Sequence, residues 1–469
     1  MTPNIAAAKA ALSHLEIEQN EAAIRSASRD FFWYSPVLKA RLDHVVADFV
    51  VAPKSEAELI EVLKTCYAHD CPVTVRGAGT GNYGQAMPLA GGCVVHLKHL
   101  SDVKEVLPGR VIVEPGCLLK DLDDACKVQS SQELRMFSST WATATIGGFI
   151  AGGSGGVGSC TWGSLRDLGN IIRLRVVTME SEPRILEFRG EELARVSHAY
   201  GTNGIITELE MPLAPAYDWV DVFVTTEDFR SAAEFANDLG NADGILIKLA
   251  SVFEAPIAKS YFQRVAPHVS ESDNLLGLMI APHAMDAFLT FLGRRSDAKM
   301  IYRSDESEWP RHPGPMFEYG WNHTTLRALK VDPSITYLQV RYAFPDHIDK
   351  VEAIREKFPG EVMQHLEVIR ESGKCIFAGL TMVKFTSEER LQEIIDIHEE
   401  MGCMIFNPHR YTLEEGGRQT VDDRQLKFKR EADPKGLLNP GKMIAWDVPD
   451  WSYDGIYSYA KIQKPQAAE

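Results

Sequence analysis

The sequence predicts an α+β fold divided between two principal domains, and three observations carry that reading. At 469 residues the chain is too long for one ordinary core. Many of its 35 glycines crowd into residues 76–92 and 147–163. Backbone is arranged so when it must approach a ligand, because glycine puts no Cβ in the way. From residue 217 onward, short β-branched runs alternate with amphipathic stretches, the pattern of helices laid on one face of a mostly antiparallel sheet.

Residues 1–45 read as an N-terminal helical segment, rich in alanine but interrupted by Lys9, His14, Glu16 and Glu18. It has neither the unbroken apolar core of a signal peptide nor the length of a membrane span. A strand at 50–52 precedes a helix over 54–70, with Ser55 as its N-cap and Glu58 as the capping-box partner. Strands follow at 72–76, 92–97 and 110–114, then a helix at 118–127. Further strands fall at 170–178, 184–189 and 208–213, with a turn-rich stretch at 198–207. Pro212 and Pro215 mark the end of this domain, placed at 46–216. The second domain, 217–401, is expected to hold strands at 220–225, 245–250, 275–280, 299–303, 336–343 and 375–384. Its helices are expected at 227–239, 284–295, 346–357 and 387–400. Residues 402–469 are turn-rich and read as a closing segment that returns to the first domain.

Composition excludes several functions. With 49 basic and 65 acidic residues the formal charge is −16, which opposes binding to nucleic acid or to an anionic membrane surface. The eight cysteines contain no CxxC pair, so reduced thiols and a cytoplasmic compartment are expected. None of the 14 histidines forms HExxH, so no metal site is expected, and the absence of GxSxG argues against a hydrolase.

The first glycine loop comprises Arg76, Gly77, Ala78, Gly79, Thr80, Gly81 and Asn82, directly after a strand. Successive amides in such a turn form a nest for an anion such as a pyrophosphate. The loop lacks the third glycine of GxGxxG, since Asn82 stands there, and no helix opens after Tyr83, so a Rossmann reading is weak. The plain alternative is a turn that binds nothing. The second loop is richer, running from Thr145 through Gly147, Gly148, Gly152, Gly153, Ser154, Gly155 and Gly156 to Gly158, followed by Trp162 and Gly163. Glu114, Pro115 and Gly116 precede it, and Tyr200, Gly201, Thr202, Asn203, Gly204 and Ile205 come later.

In this order the elements resemble the FAD-binding domain of the vanillyl-alcohol oxidase and para-cresol methylhydroxylase superfamily, which includes glycolate oxidase FAD subunits and D-lactate dehydrogenases. The resemblance covers residues 50–213, with 433–443 similar to the family's C-terminal segment. It implies a two-part FAD-binding domain of the PCMH type with an α+β substrate (cap) domain on a mostly antiparallel sheet. It further implies that residues 76–82 cradle the pyrophosphate and that Gly147, Gly148, Ser154 and Gly158 let backbone approach the phosphates and ribityl chain. Gly204 and Ile205 would lie along the adenine or its ribose, with Ile205 and Ile206 supplying an apolar wall. Relatives that attach FAD covalently often carry His where this chain has Thr80. Threonine has no imidazole nucleophile, so FAD is expected to be noncovalent; Cys117 and Cys160 read as small buried thiols. A dimer is implied by the resemblance alone.

A flavin carries redox chemistry while the protein supplies orientation and a base. His409 is the candidate base, with Tyr411 beside it in the segment that returns toward the flavin. A second cluster places Tyr319, Trp321 and His323 on one face of an extended segment, where Arg327 or Arg341 would hold a substrate carboxylate. The expected activity is hydride removal from a small alcohol, a 2-hydroxy acid or an aromatic side chain, with oxygen, a quinone or a partner protein taking the electrons. Two other readings are an alkyl-transfer synthase with no net redox change and a non-catalytic flavin-binding protein.

Overall fold

The computed structural model describes residues 3–417 and 419–452. The outer ends of the expected terminal segments, 1–2 and 453–469, and residue 418 lie outside the described residues.

The first domain begins with three parallel strands in the order Phe49–Val51, Cys93–His96, Val73–Arg76. Helix Glu56–Ala68 makes the first crossover and buries Leu59, Val62, Leu63 and Cys66 against that sheet. Ser55 caps it by accepting from Glu58 N–H at 3.1 Å. Glu58 reaches back to Lys54 N–H at 2.7 Å, one residue before the capping-box partner expected. A second, antiparallel sheet follows in the order Val103–Leu107, Arg110–Val113, Ile205–Pro215, Arg173–Val177, Ile185–Arg189. Its central strand starts three residues earlier than expected and carries Pro212 inside it, opposite Arg110. The strand's far end is paired by Gln132–Leu134, so the proline ends no element.

The second domain is an eight-stranded antiparallel sheet. Helices Phe229–Gly240, Met285–Leu292, His347–Lys357 and Glu388–Glu400 share one apolar cluster with a face of this sheet. The other face joins the first domain in a single larger cluster that includes Phe137, Phe149, Phe253 and Tyr319. Two expected strands are each divided in two. Ile335–Tyr337 pairs with Met382–Lys384 in a small sheet, while Gln339–Tyr342 pairs with Lys374–Gly379 in the large one. Both change sheets together where Leu338 N–H donates to Thr381 O at 2.9 Å. An unbroken β-branched run does not record where its partner changes.

Met404–Phe406 is the edge strand of the large sheet, so the expected closing segment starts inside the cap. After it the chain crosses back, and helix Asp423–Ala432, unanticipated from its charged sequence, packs Phe428 and Ala432 into the shared cluster. Leu438 bridges to Val73 in parallel, with Val73 N–H donating to Leu437 O at 2.8 Å and Asn439 N–H to Val73 O at 2.7 Å. The C-terminal segment thus seals the sheet that carries the first glycine loop.

Candidate functional site

Strand Val73–Arg76 delivers the first glycine loop at the sheet's edge. Among the described residues, the backbone amides of Ala78, Gly79, Thr80, Gly81 and Asn82 donate to no protein acceptor. Five adjacent unpaired donors are a nest for an anion, since a polar group withheld from water needs a partner. Arg76 folds back beneath them, donating to Arg29 O and to Ala78 O at 3.1 Å. Gly79 has φ +70 and a Cβ there would fall 2.3 Å from that guanidinium, so the loop's path requires glycine. Behind the loop Asp30 and Lys442 are both buried. Asp30 accepts from Phe32 N–H at 2.9 Å and Ala86 N–H at 3.2 Å, while Lys442 donates to Gly84 O. Burial pushes the Asp30 carboxyl up and the Lys442 ammonium down, and each charge partly offsets the effect on the other.

The second loop supplies the facing wall. Thr145 caps helix Ile146–Gly152 by accepting from Gly148 N–H at 3.2 Å. Gly147 packs so tightly on the Pro115 turn that a Cβ would fall 2.5 Å from Pro115 Cβ and 2.8 Å from its carbonyl oxygen. Both loops line one cavity of about 220 Å³, which includes every residue of 76–82 together with Gly147, Gly148, Ser154 and Gly204. Gly158 and Ile205 are outside it. Gly158 turns away at φ +105, and its N–H donates to Lys248 O in the cap at 2.8 Å. Ile205 is buried in the parallel-sheet core; alternation along the strand leaves Ile206 alone of the two on the cavity wall.

The cavity suits FAD. Its amide nest matches a pyrophosphate, and Val75, Val196 and Ile206 give an apolar wall for a ring. Thr80 lies in the lining and offers no nucleophilic nitrogen. The Cys117 and Cys160 thiols are buried and pushed up to about 11 and about 12 by desolvation, which suppresses thiolate chemistry.

At its far end the cavity meets a second one of about 790 Å³, and Ser154, Gly155, His198, Trp321, Gln339 and Phe406 line both. The floor of the second cavity is the cap sheet's helix-free face, where Gln339, Arg341, Ile369, Glu371, Ala378 and Met404 come together. Arg341 forms a bidentate pair with Glu371, and across the space Arg166 pairs with Asp422 at 2.8 Å.

Of the expected catalytic residues, His409, His323, Tyr411 and Arg327 line neither cavity. His409 is buried with both ring nitrogens engaged. Nε2 donates to Tyr337 O at 2.9 Å and Nδ1 lies 2.7 Å from Ser35 Oγ, which also caps helix Pro36–Leu42. Desolvation pushes the imidazole down to about 3, so it stays neutral and bound to structure. Tyr411 lies under Lys442 Nζ, 4.8 Å from the ring centroid. The expected extended face of Tyr319, Trp321 and His323 is replaced by a 3-10 turn, Met316–Glu318, and helix Asn322–Leu329. Tyr319 is therefore core, and His323 Nδ1 sits 3.3 Å from Glu318 Oε2. Arg327 donates to Glu318 O at 2.7 Å and covers the Tyr319 ring at 4.2 Å. Trp321 lines both cavities, its neighbour Asn322 lines the first, and Arg341 lines the second.

Sequence reasoning overlooked His198. It stands at the junction, and its Nδ1 donates to Gly153 O at 2.9 Å. The bond anchors the ring at the junction. Its signal was its place two residues before Tyr200 in the third motif. Gln339 was hidden in a strand, two residues before Arg341 and so on the same face.

Residues 47–186 match the family model described as an FAD binding domain. The chain is 28% identical over 206 residues to the glycolate oxidase subunit GlcD of Bacillus subtilis (strain 168), covering 41% of this chain and 42% of that protein. It thus aligns with less than half of that relative's length. It is 27% identical over 446 residues to an FAD-linked oxidoreductase of Mycobacterium tuberculosis (strain H37Rv), covering 84% and 90%. Among solved structures, alkyldihydroxyacetonephosphate synthase superposes with a TM-score of 0.68 at 15% identity, covering 90% of this chain and 83% of that one; that likeness is one of fold.

Proposed function

We infer that this chain, an FAD-linked oxidoreductase of the vanillyl-alcohol oxidase and para-cresol methylhydroxylase superfamily, oxidises a hydroxy acid or alcohol held in the second cavity. One observation carries the reading. The cavity lined by both glycine loops opens, through Trp321, Gln339 and Phe406, onto a separate space floored by the cap sheet. A cofactor lying along the glycines would present its reactive end where a substrate can reach it. FAD, when bound, supplies the hydride acceptor.

The protein's own groups have distinct tasks. Residues 78–82 hold the pyrophosphate by their amides, and Gly147 and Gly148 allow the facing approach. His198, at the junction, takes the substrate hydroxyl proton, and Arg341 exchanges part of its pairing with Glu371 for a substrate carboxylate. Residues 46–216 form the FAD-binding part and 217–401 most of the cap, with the segment after Phe406 closing on the first part. FAD is held without a covalent bond, so acid precipitation is expected to leave all the yellow colour in the supernatant.

The test is anaerobic bleaching of the flavin by a panel of 2-hydroxy acids and aromatic alcohols. Bleaching by one class identifies it. A loaded protein that no compound bleaches, yet that turns over an ester–alcohol exchange without an electron acceptor, would establish the alkyl-transfer reading instead.

A further inference from the structure

Between the two cavities stands one indole, and a carboxyl group buried in the cap sheet holds its backbone. Trp321 lines both spaces. Its outer ring lies on the second glycine loop, where a Cβ at Gly155 would be 3.3 Å from Trp321 Cη2. Its φ is +51, a left-handed conformation that a bulky residue adopts only when its surroundings impose it.

Glu367 imposes it. Trp321 N–H donates to Glu367 Oε1 at 2.6 Å. The Glu367 side chain is 1% exposed, and among the described residues no Lys or Arg pairs with it. It meets Ser251 Oγ at 2.7 Å and His365 Nε2 at 2.9 Å, both groups fully buried. Thr324, in the helix that follows the indole, lies 3.4 Å from the same His365 nitrogen and donates to Tyr319 O at 2.5 Å. Gly320 has no room for a side chain, since a Cβ would fall 2.8 Å from Glu367 Oε1 and 2.9 Å from Ser251 Oγ. A carboxyl withdrawn from water costs free energy unless its acceptors are filled. Here they are filled by groups that converge on one backbone N–H.

We propose that Glu367, oriented by Ser251 and His365, is a positioning residue for Trp321, and that the indole sets the fit of the substrate where it passes from the second cavity to the first. This rests on the reading of the second cavity as the substrate's. Phe at 321 loosens the passage, and loss of the Glu367 clamp does the same by letting the indole turn.

The full-length, flavin-loaded protein tests it with Glu367→Gln, Trp321→Phe and the double variant. Oxalate serves as a probe, its dissociation constant read from the perturbation of flavin absorbance, beside KM and kcat for the best bleaching substrate. Each single variant is expected to weaken oxalate and raise KM about tenfold, with kcat changed far less. The double variant is expected to equal the weaker single one, because both act through one indole. Unchanged oxalate binding in Glu367→Gln, even with lowered thermal stability, overturns the proposal, as do effects that multiply. Should Glu367→Gln not load flavin, Ser251→Ala takes its place, with a smaller shift expected that vanishes in the Trp321→Phe background. No shift there overturns it equally. These outcomes require a wild-type protein that bleaches and binds oxalate; if it does neither, the functional reading fails and not the clamp.

Discussion

The two cavities are built by opposite means. The first is made of backbone: five unpaired amides on one side and a helix start pressed against Pro115 on the other. The second is made of side chains projected from four strands of the cap sheet, with Gln339, Ile369, Ala378 and Met404 meeting on one face. A backbone site cannot tolerate an added Cβ, yet is indifferent to most side-chain chemistry. A side-chain site behaves in the reverse way, since its floor survives truncation while its selectivity does not. The contrast predicts where single substitutions destroy cofactor binding and where they only retune the substrate.

The largest effect is expected in the first cavity. Gly147→Ala puts a methyl group 2.8 Å from the Pro115 carbonyl oxygen, and the backbone must move to admit it. Affinity for FAD is expected to fall by about 5- to 150-fold, from an overpacking cost of roughly 1–3 kcal/mol. Flavin-to-protein absorbance after gel filtration measures it. A fully yellow variant would show that the helix start is not part of the cradle.

Next comes the junction. His198→Gln is expected to lower kcat by roughly 100-fold, the lower range of a lost general base, with flavin still bound. His409→Gln is expected to leave kcat within a factor of about two, since its imidazole faces Ser35 and Tyr337. Single-turnover bleaching rates decide between them, and the opposite ranking would return the base to the C-terminal segment.

The second cavity gives a smaller, more selective effect. Arg341→Ala is expected to raise KM for a carboxylate substrate about tenfold and to spare a neutral alcohol, as loss of one charge-assisted hydrogen bond implies. Arg327→Ala removes its bond to Glu318 O and its cover on Tyr319, so it lowers thermal stability without changing KM. A KM change in Arg327→Ala alone would move the carboxylate site out of the cavity.

The same contrast explains what could be read from sequence. The cradle was legible because its code is contiguous: a strand, then glycines at fixed spacing, then Thr145 and a further glycine run. The cap's layers were legible from periodicity, as in Phe229–Gly240 and Glu388–Glu400. The catalytic side chains were not. Whether a residue faces a cavity depends on strand parity and partner, which is why Ile205 and Ile206 were both expected on the wall and only Ile206 stands there. Local conformation also overrode pattern. The alternation of Tyr319, Trp321 and His323 suggested an extended face, but the chain turns left-handed at Trp321 and starts a helix, carrying His323 to Glu318. His409 misled for another reason: a histidine in a loop near a flavin suggests a base, whereas this one bonds Ser35, far away in sequence.

That structural role yields the smallest and most specific expectation, a pH dependence of stability. Burial holds His409 down to about 3 in the folded protein, against an ordinary value near 6.5. Between these values the unfolded chain binds a proton that the folded protein does not, so stability rises with pH across the window and is lost as pH falls below about 6.5. His398 and His96, each lowered to about 4 by burial, act in the same direction. Asp221 and Glu254 act in the opposite one. Burial raises both to about 7, so their protons favour the folded state at low pH and stability falls as they ionise. The wild-type profile is therefore a partial cancellation, and the informative quantity is a difference. Glutamine at 409 can donate to Tyr337 O and accept from Ser35 while never titrating. Denaturant unfolding of wild type and His409→Gln at pH 4, 5 and 6 is expected to show the variant's stability less pH-dependent by up to about 1.4 kcal/mol per pH unit. Parallel profiles would mean that the imidazole is not held neutral, and with that the case for moving the base from His409 to His198 would lose its electrostatic half.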